Sequence, residues 1–398
     1  MSAEALDVRR LRDETPGCAH RVHLNNAGAS LMPEPVLAEV RAHLELEARI
    51  GGYEAEAEAA EEIRAAYEAM ARLLGTSASN VAFTEHATTS FTQALSSVDF
   101  ARGDVLLTTR SDYVSNQIQY LALAHRRGVE VVRAPDAPEG GVDLQAVEEI
   151  IHRRRPRLVA VTHVPTNSGL VQDVAAVGRM CRARDVLYVV DACQSVGQMP
   201  VLPEDIGCDF LSGTARKFLR GPRGCGFLWV SDRVLDRGLE PLFPDLRGAD
   251  WIEGDLYQPA PDARRFETWE FAWALVRGTG AAARYATGIG LEAVRDRVRR
   301  LAGSLRERLG GMPGVRVLDR GPELAAIVTV SVRGWRSRDL VQALRARGIN
   351  TTGQSRGDAI LDYDAKGVDG ALRVSPHCYN TEEELDTFLG TLGEIVGG

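Results

Sequence analysis

Seven short apolar runs, separated by helical or glycine-rich stretches, constrain the fold more than any other feature of this chain. They occupy residues 81–84, 105–109, 129–134, 158–164, 187–192, 210–213 and 226–230, with amphipathic segments at 116–127, 144–154 and 174–184 between the middle ones. Strands that read as continuous apolar runs, without polar alternation, are buried on both faces. When they alternate with helices they build a mainly parallel sheet with helices on either side. The last two runs are joined by a long Gly-rich connection in place of a helix, which leaves room for one antiparallel strand. The prediction is an α/β large domain over residues 21–287, built on a mainly parallel seven-stranded sheet, with an N-terminal arm over residues 1–20.

Beyond about Gly288 the pattern changes. Residues 291–309 read as a long Arg-rich amphipathic helix, 315–318 and 325–332 as strands, 337–347 as a helix, 372–375 as a strand and 381–396 as a closing helix. That last helix starts with Thr381 and Glu384, the spacing of a capping box. A smaller α+β domain over residues 288–398 is expected, and the chain's length accommodates both units.

Charge and composition argue against several functions. A net charge of -8 gives no basic face for a nucleic acid, and runs such as Arg153-Arg154-Arg155 read as solvated surface. No stretch approaches the roughly 20 apolar residues of a membrane span. Residues 1–20 lack the apolar centre of a signal peptide, so a cytoplasmic protein with no membrane partner is expected. The six cysteines show no C-x-x-C pairing and read as small buried hydrophobes, with no metal site.

The lysines say more. Of 47 basic residues only two are lysine, Lys217 and Lys366. Arginine cannot replace lysine where a primary amine must form an imine or shed a proton near neutral pH. Lys217 follows a strand, in the basic and Gly-rich loop SGTARKFLRGPRGCGF, and loops at the C-terminal ends of strands are where open α/β sheets bind ligands. In YVVDACQ an apolar strand delivers Asp191 at its end, where a carboxylate is costly to bury without a positive partner, and Gln194 follows it. In FTEHATTSFTQAL a strand ends at Thr84 and a helix begins near Thr88, so free N–H groups and Thr hydroxyls make an anion site suited to a phosphate. His86 either faces that site or fills the turn, and the turn is the better reading.

Phosphate loop, Asp strand and Lys loop, in that order, resemble the class V aminotransferase group of fold-type-I pyridoxal-phosphate enzymes, which includes the cysteine desulfurases. The resemblance runs from HLNNAGAS at 23–30 to LRVSPH at 372–377. It implies pyridoxal 5'-phosphate as the cofactor, held as a Schiff base on Lys217, with the ring nitrogen paired to Asp191 and the ring oxygen near Gln194. Ala87 and Thr88 match the phosphate cup. Thr214 and Arg216 stand where the family usually has Ser and His; Thr214 would bind the phosphate, and Arg216 keeps a donor there. Tyr113, in SDYVSN, falls where an aromatic residue stacks on the cofactor ring. In THVPTNSGL either Thr166 or Asn167 fills a family Asn position near the ring oxygen. Spacing favours Thr166, chemistry favours Asn167, and Asn167 is taken. On the substrate side, Arg373 matches the arginine that grips a carboxylate with its fork. Gly28 matches a loop whose backbone approaches the substrate, and Tyr53, in GGYEAEAEA, joins them. The family commonly forms homodimers, and a Gly-Thr from the neighbouring subunit often completes the phosphate site. RFETWEFAW lacks that pair here, which leaves Thr268 as the substitute.

One departure bears on the reaction. A cysteine desulfurase carries a nucleophilic Cys on a mobile loop shortly before the substrate arginine, yet no Cys lies between Gly348 and His377. The segments GGYEAEAEA, RKFLRGPRGCGF, TTGQSRGDAILDYD and LRVSPHCYNT look like the ergothioneine-type C–S lyases that act on cysteine S-conjugates. That likeness implies β-elimination from an amino-acid substrate, with Lys217 removing the Cα proton and thiol, pyruvate and ammonia as products. An aminotransferase or amino-acid epimerase on the same scaffold is the alternative.

Overall fold

All seven apolar runs become strands of one sheet in the computed structural model, which describes residues 6–397; the first five residues of the expected arm lie outside the described residues. The strands are β1 (Val81–Thr84), β2 (Val105–Thr109), β3 (Glu130–Ala134), β4 (Leu158–Thr162), β5 (Leu187–Asp191), β6 (Phe210–Thr214) and β7 (Gly226–Val230). Their order is β1-β7-β6-β5-β4-β2-β3. Only β7 runs against its neighbours, β1 and β6, which is the antiparallel strand expected from the Gly-rich connection.

Successive side chains of a strand point to opposite faces. Leu158 and Ala160 of β4 pack into one core while Val159 and Val161 pack into the other, and Leu187, Val189 against Tyr188, Val190 repeat this on β5. With an apolar layer required on each face, no polar alternation survives in the sequence, and each fully buried large side chain contributes about 1.5–3 kcal/mol. The edge strand β3 is the exception, opening on an exposed Glu130. The covering helices Leu144–Arg154 and Val174–Ala183 start at Asp143 and Asp173, whose carboxylates accept backbone N–H bonds.

The C-terminal part forms a second, antiparallel sheet from β8 (Val315–Val317), β9 (Val328–Val332), β10 (Thr352–Ser355) and β11 (Gly370–Val374), ordered β8-β9-β11-β10. Helices Leu291–Gly310, Ser337–Ala346 and Glu382–Gly397 accompany it. The capping box is present: Glu384 N–H donates to Thr381 Oγ1 at 3.3 Å, and Thr381 N–H returns to the Glu384 carboxylate at 3.2 Å. Val22–His23 pairs in parallel with Ile349–Asn350, so the chain after residue 20 first runs along this C-terminal part. No helix among the described residues is long and apolar enough to cross a membrane.

Two buried histidines give the fold a testable acid sensitivity. Burial pushes the His163 imidazole down to about 4 and that of His377 down to about 3. An unfolded histidine takes up its proton near about 6.5. As the pH falls from there toward 4, the unfolded chain therefore binds protons that the folded chain does not, and stability is lost, on the order of 3 kcal/mol for His163. The urea midpoint should be lower at pH 5 than at pH 7, and His163→Phe should shrink the difference.

Candidate active site

The ends of β4, β5 and β6 lie side by side, with Thr162 opposite Asp191 and Asp191 opposite Ser212. A cavity opens there, bounded by these strand ends and by the starts of helices Ala87–Ser96 and Val114–Arg127. Ala87, Thr88, Tyr113, Asp191, Gln194, Thr214, Arg216 and Lys217 all line it, so most residues singled out in the sequence come together.

Lys217 is buried, and its Nζ stands over the Tyr113 ring, 5.9 Å from the centroid. Among the described residues no carboxylate forms an ion pair with it. Burial lowers its amine below the ordinary lysine range; Arg216 and Arg373 push the same way, against Cys193 and Asp191. Lys366, in contrast, is tied to Asp362 at 2.7 Å. Asp191 ends β5, with Oδ1 accepting from the Cys193 N–H at 2.9 Å and Oδ2 from Asn116 Nδ2 at 3.0 Å.

The phosphate-type site is built at a helix start. His86 caps it: Nδ1 accepts from the Thr89 N–H at 3.1 Å, so this histidine fills the turn, and it also lines the cavity. The N–H groups of Ala87 and Thr88 have no partner among the described residues, as the first turn of a helix leaves them. Gly226 lets β7 approach closely, since a Cβ there would meet the Ala87 nitrogen at 2.5 Å.

Arg373 sits on β11, buried, with Nη1 donating to the Thr166 carbonyl at 3.2 Å and hydroxyl at 2.5 Å. Its Nε is buried without a partner, and burial lowers the guanidinium to about 10. The Gly28 loop is fastened to the cavity rim: Arg216 Nη1 donates to the Gly28 carbonyl, and Gln194 Nε2 to that of Ala27 at 3.1 Å.

Two sequence assignments are corrected. Thr166, not Asn167, lines the cavity and accepts from Gln194 Nε2 at 3.1 Å. Asn167 turns away, donating to Asp362 at 2.7 Å. Tyr53 is 74% exposed and does not reach this cavity. Gly51, at φ 102°, starts a new short helix, Gly52–Glu58, that buries Ala55; two residues along a helix turn the side chain about 200° away. Thr268, expected to act on a neighbouring subunit's site, has its hydroxyl donating to Glu85 of its own chain at 3.3 Å. Sequence reasoning missed Asn116, Thr162 and Cys193, which do line it. Only Asn116 left a trace, four residues beyond an acid at a helix start.

Donors for an anion, a carboxylate lacking a cation and an amine lacking an anion suit pyridoxal phosphate, and the unpartnered Gln194 Oε1 and Arg373 Nε are further buried atoms open to a bound group. The cavity and sheet are those of a fold-type-I pyridoxal-phosphate enzyme. Residues 22–388 match the family Aminotransferase class-V, and the chain belongs to it. A probable cysteine desulfurase of Pyrococcus abyssi is 27% identical over 395 residues, 97% of each chain. A probable hercynylcysteine sulfoxide lyase of Mycobacterium tuberculosis is 29% identical over 379 residues, 93% of this chain and 89% of the relative. The apo cysteine desulfurase structure from Thermococcus onnurineus NA1 superposes with a TM-score of 0.91 at 26% identity, covering 100% of both chains. The protein is a pyridoxal-phosphate enzyme that acts on an amino acid.

Proposed function

We propose that the enzyme cleaves the Cβ–S bond of a cysteine S-conjugate by β-elimination, giving a thiol, pyruvate and ammonia. The absence of any Cys between Gly348 and His377 carries this reading. Cys193, the one cysteine at the cavity among the described residues, cannot take its place. Burial, with Asp191 adding, pushes its thiol well above the usual range, so no thiolate stands ready to accept sulfur. Elimination needs none. The likeness to a probable sulfoxide lyase supports the same choice of bond.

When bound, the cofactor supplies an electron sink for the pair left at Cα. The Ala87 and Thr88 N–H groups, with Thr214 and Arg216, would hold its phosphate. Asp191 would hold the ring nitrogen, Tyr113 the ring face, Gln194 and Thr166 the ring oxygen, and Lys217 the covalent attachment. Arg373 offers its free Nε edge to the substrate carboxylate, and the Gly28 loop closes the substrate side. Lys217 takes the Cα proton, a task its depressed amine suits near neutral pH. The Cβ–S pair leaves with sulfur as thiolate, and the released aminoacrylate takes up water to give pyruvate and ammonia.

Incubation with cysteine S-conjugates should yield pyruvate, ammonia and free thiol in equal amounts without a keto acid. A keto-acid requirement, with alanine as product, would move the enzyme to the aminotransferases; an inverted amino acid with its side chain intact would make it an epimerase. Arg373→Lys keeps the charge but loses the fork. It should raise KM for the amino acid about tenfold or more, with the visible spectrum of the bound cofactor unchanged.

A cytoplasmic homodimer completes the proposal. Phe243, Leu246, Trp251, Ile252 and Trp269 are all exposed, on and around a two-stranded hairpin, Ala249–Glu253 with Leu256–Pro259. Such a hairpin is marginal alone, and apolar exposure of this kind marks an interface, here with a second copy.

A further inference from the structure

Behind Asp191 lies a second buried acid that the chemistry above does not use. Asp112 is 4% exposed and has no cationic partner among the described residues. Donors satisfy it instead. Its Oδ1 accepts from the Tyr113 N–H at 2.6 Å, from Asn116 Nδ2 at 3.1 Å and from the Thr162 hydroxyl. Its Oδ2 accepts from Thr108 Oγ1 at 3.0 Å and Gln117 Nε2 at 3.3 Å. Burial raises this carboxyl above its ordinary range, and Asp191 adds to the rise.

Two buried acids this close ordinarily lower their repulsion by sharing a proton, which would cost Asp191 its charge. Here an amide stands between them. The same Asn116 nitrogen that bonds Asp112 also bonds Asp191 Oδ2 at 3.0 Å. An amide nitrogen donates two hydrogens and accepts none, so the bridge needs an acceptor at both ends. Cys193 N–H occupies the other Asp191 oxygen, so the carboxylate is oriented through both atoms. Asp112 also receives the Tyr113 N–H, so one helix start sets both the aromatic side chain over Lys217 and the acid below the strand ends.

We propose that Asn116, fixed by Asp112, is a positioning residue that holds Asp191 as the charged partner of the cofactor's ring nitrogen. This rests on the cofactor and not on which substrate bond breaks, so its failure is separable from failure of the lyase reading. Asn116→Leu keeps the size and removes both donors; Asn116→Asp keeps the shape and replaces the donor with an acid. The test is a titration of the full chain, freed of cofactor, with pyridoxal phosphate and with the analogue carrying C–H in place of the ring nitrogen. Both variants should bind pyridoxal phosphate about tenfold more weakly, while their affinity for the analogue stays within about twofold of wild type. Equal loss for both ligands would mean that Asn116 merely packs the cavity, and no loss for either would mean that Asp191 needs no help. If neither variant folds, as judged by its melting transition, the residue is structural and the proposal falls.

Discussion

Lys217→Ala is expected to lower turnover by about 10^4 or more while leaving a folded protein. The prediction for activity follows from two tasks resting on one nitrogen, covalent attachment of the cofactor and removal of the Cα proton. The prediction for stability follows from the surroundings. The amine is buried, forms no ion pair among the described residues and is lowered by burial, so its removal takes away a group that folding desolvates without return. The melting temperature of the cofactor-free variant should equal or exceed that of the cofactor-free parent. Lys217→Arg should be as inactive as the alanine variant, because a guanidinium keeps the charge but cannot attach the cofactor. Borohydride reduction of the parent, followed by peptide mapping, should place the label on Lys217. Recovery on Lys366, held by Asp362 at 2.7 Å, would overturn the assignment.

Much of this arrangement was legible in the sequence because burial on both faces leaves a plain trace. The seven runs read as strands since β4 and β5 send alternate residues into two apolar cores. Lys217 and Asp191 stood out for a related reason: one is among only two lysines in a chain that otherwise uses arginine, and the other is an acid closing an apolar strand. What stayed hidden depends on neighbours brought from elsewhere. β10 carries the polar sequence TGQS and becomes a strand only by pairing with β11. At Thr166 and Asn167 side-chain chemistry favoured the amide, but the backbone turns the threonine toward Gln194 and Arg373 and the asparagine toward Asp362. Tyr53 matched a motif, yet the short helix that carries it buries Ala55 and leaves the tyrosine outside. The Asp112–Asn116–Asp191 network needs a helix start and two strand ends in register, which no spacing along the chain discloses.

The second large effect belongs to Asp191. Replacing it with alanine removes the carboxylate that keeps a ring nitrogen protonated, and a preorganised charge at the point where electron density accumulates is worth about 10²–10³ in turnover. Cofactor content should fall much less, because the phosphate donors at Ala87 and Thr88 and the attachment at Lys217 remain. Asp191→Asn sharpens the test. It preserves volume and can still accept the Cys193 N–H, seen at 2.9 Å, but it carries no charge. If charge is what matters, the asparagine variant should lose nearly as much turnover as the alanine variant. If it keeps near-normal turnover, the residue acts through shape and hydrogen bonding alone. Asp112 cannot substitute in either variant, since its oxygens are already taken by Tyr113, Asn116, Thr162, Thr108 and Gln117. The loss should therefore persist across the pH range in which the protein stays folded, and turnover normalised to bound cofactor, measured from pH 6 to about 9, is the reading that decides it.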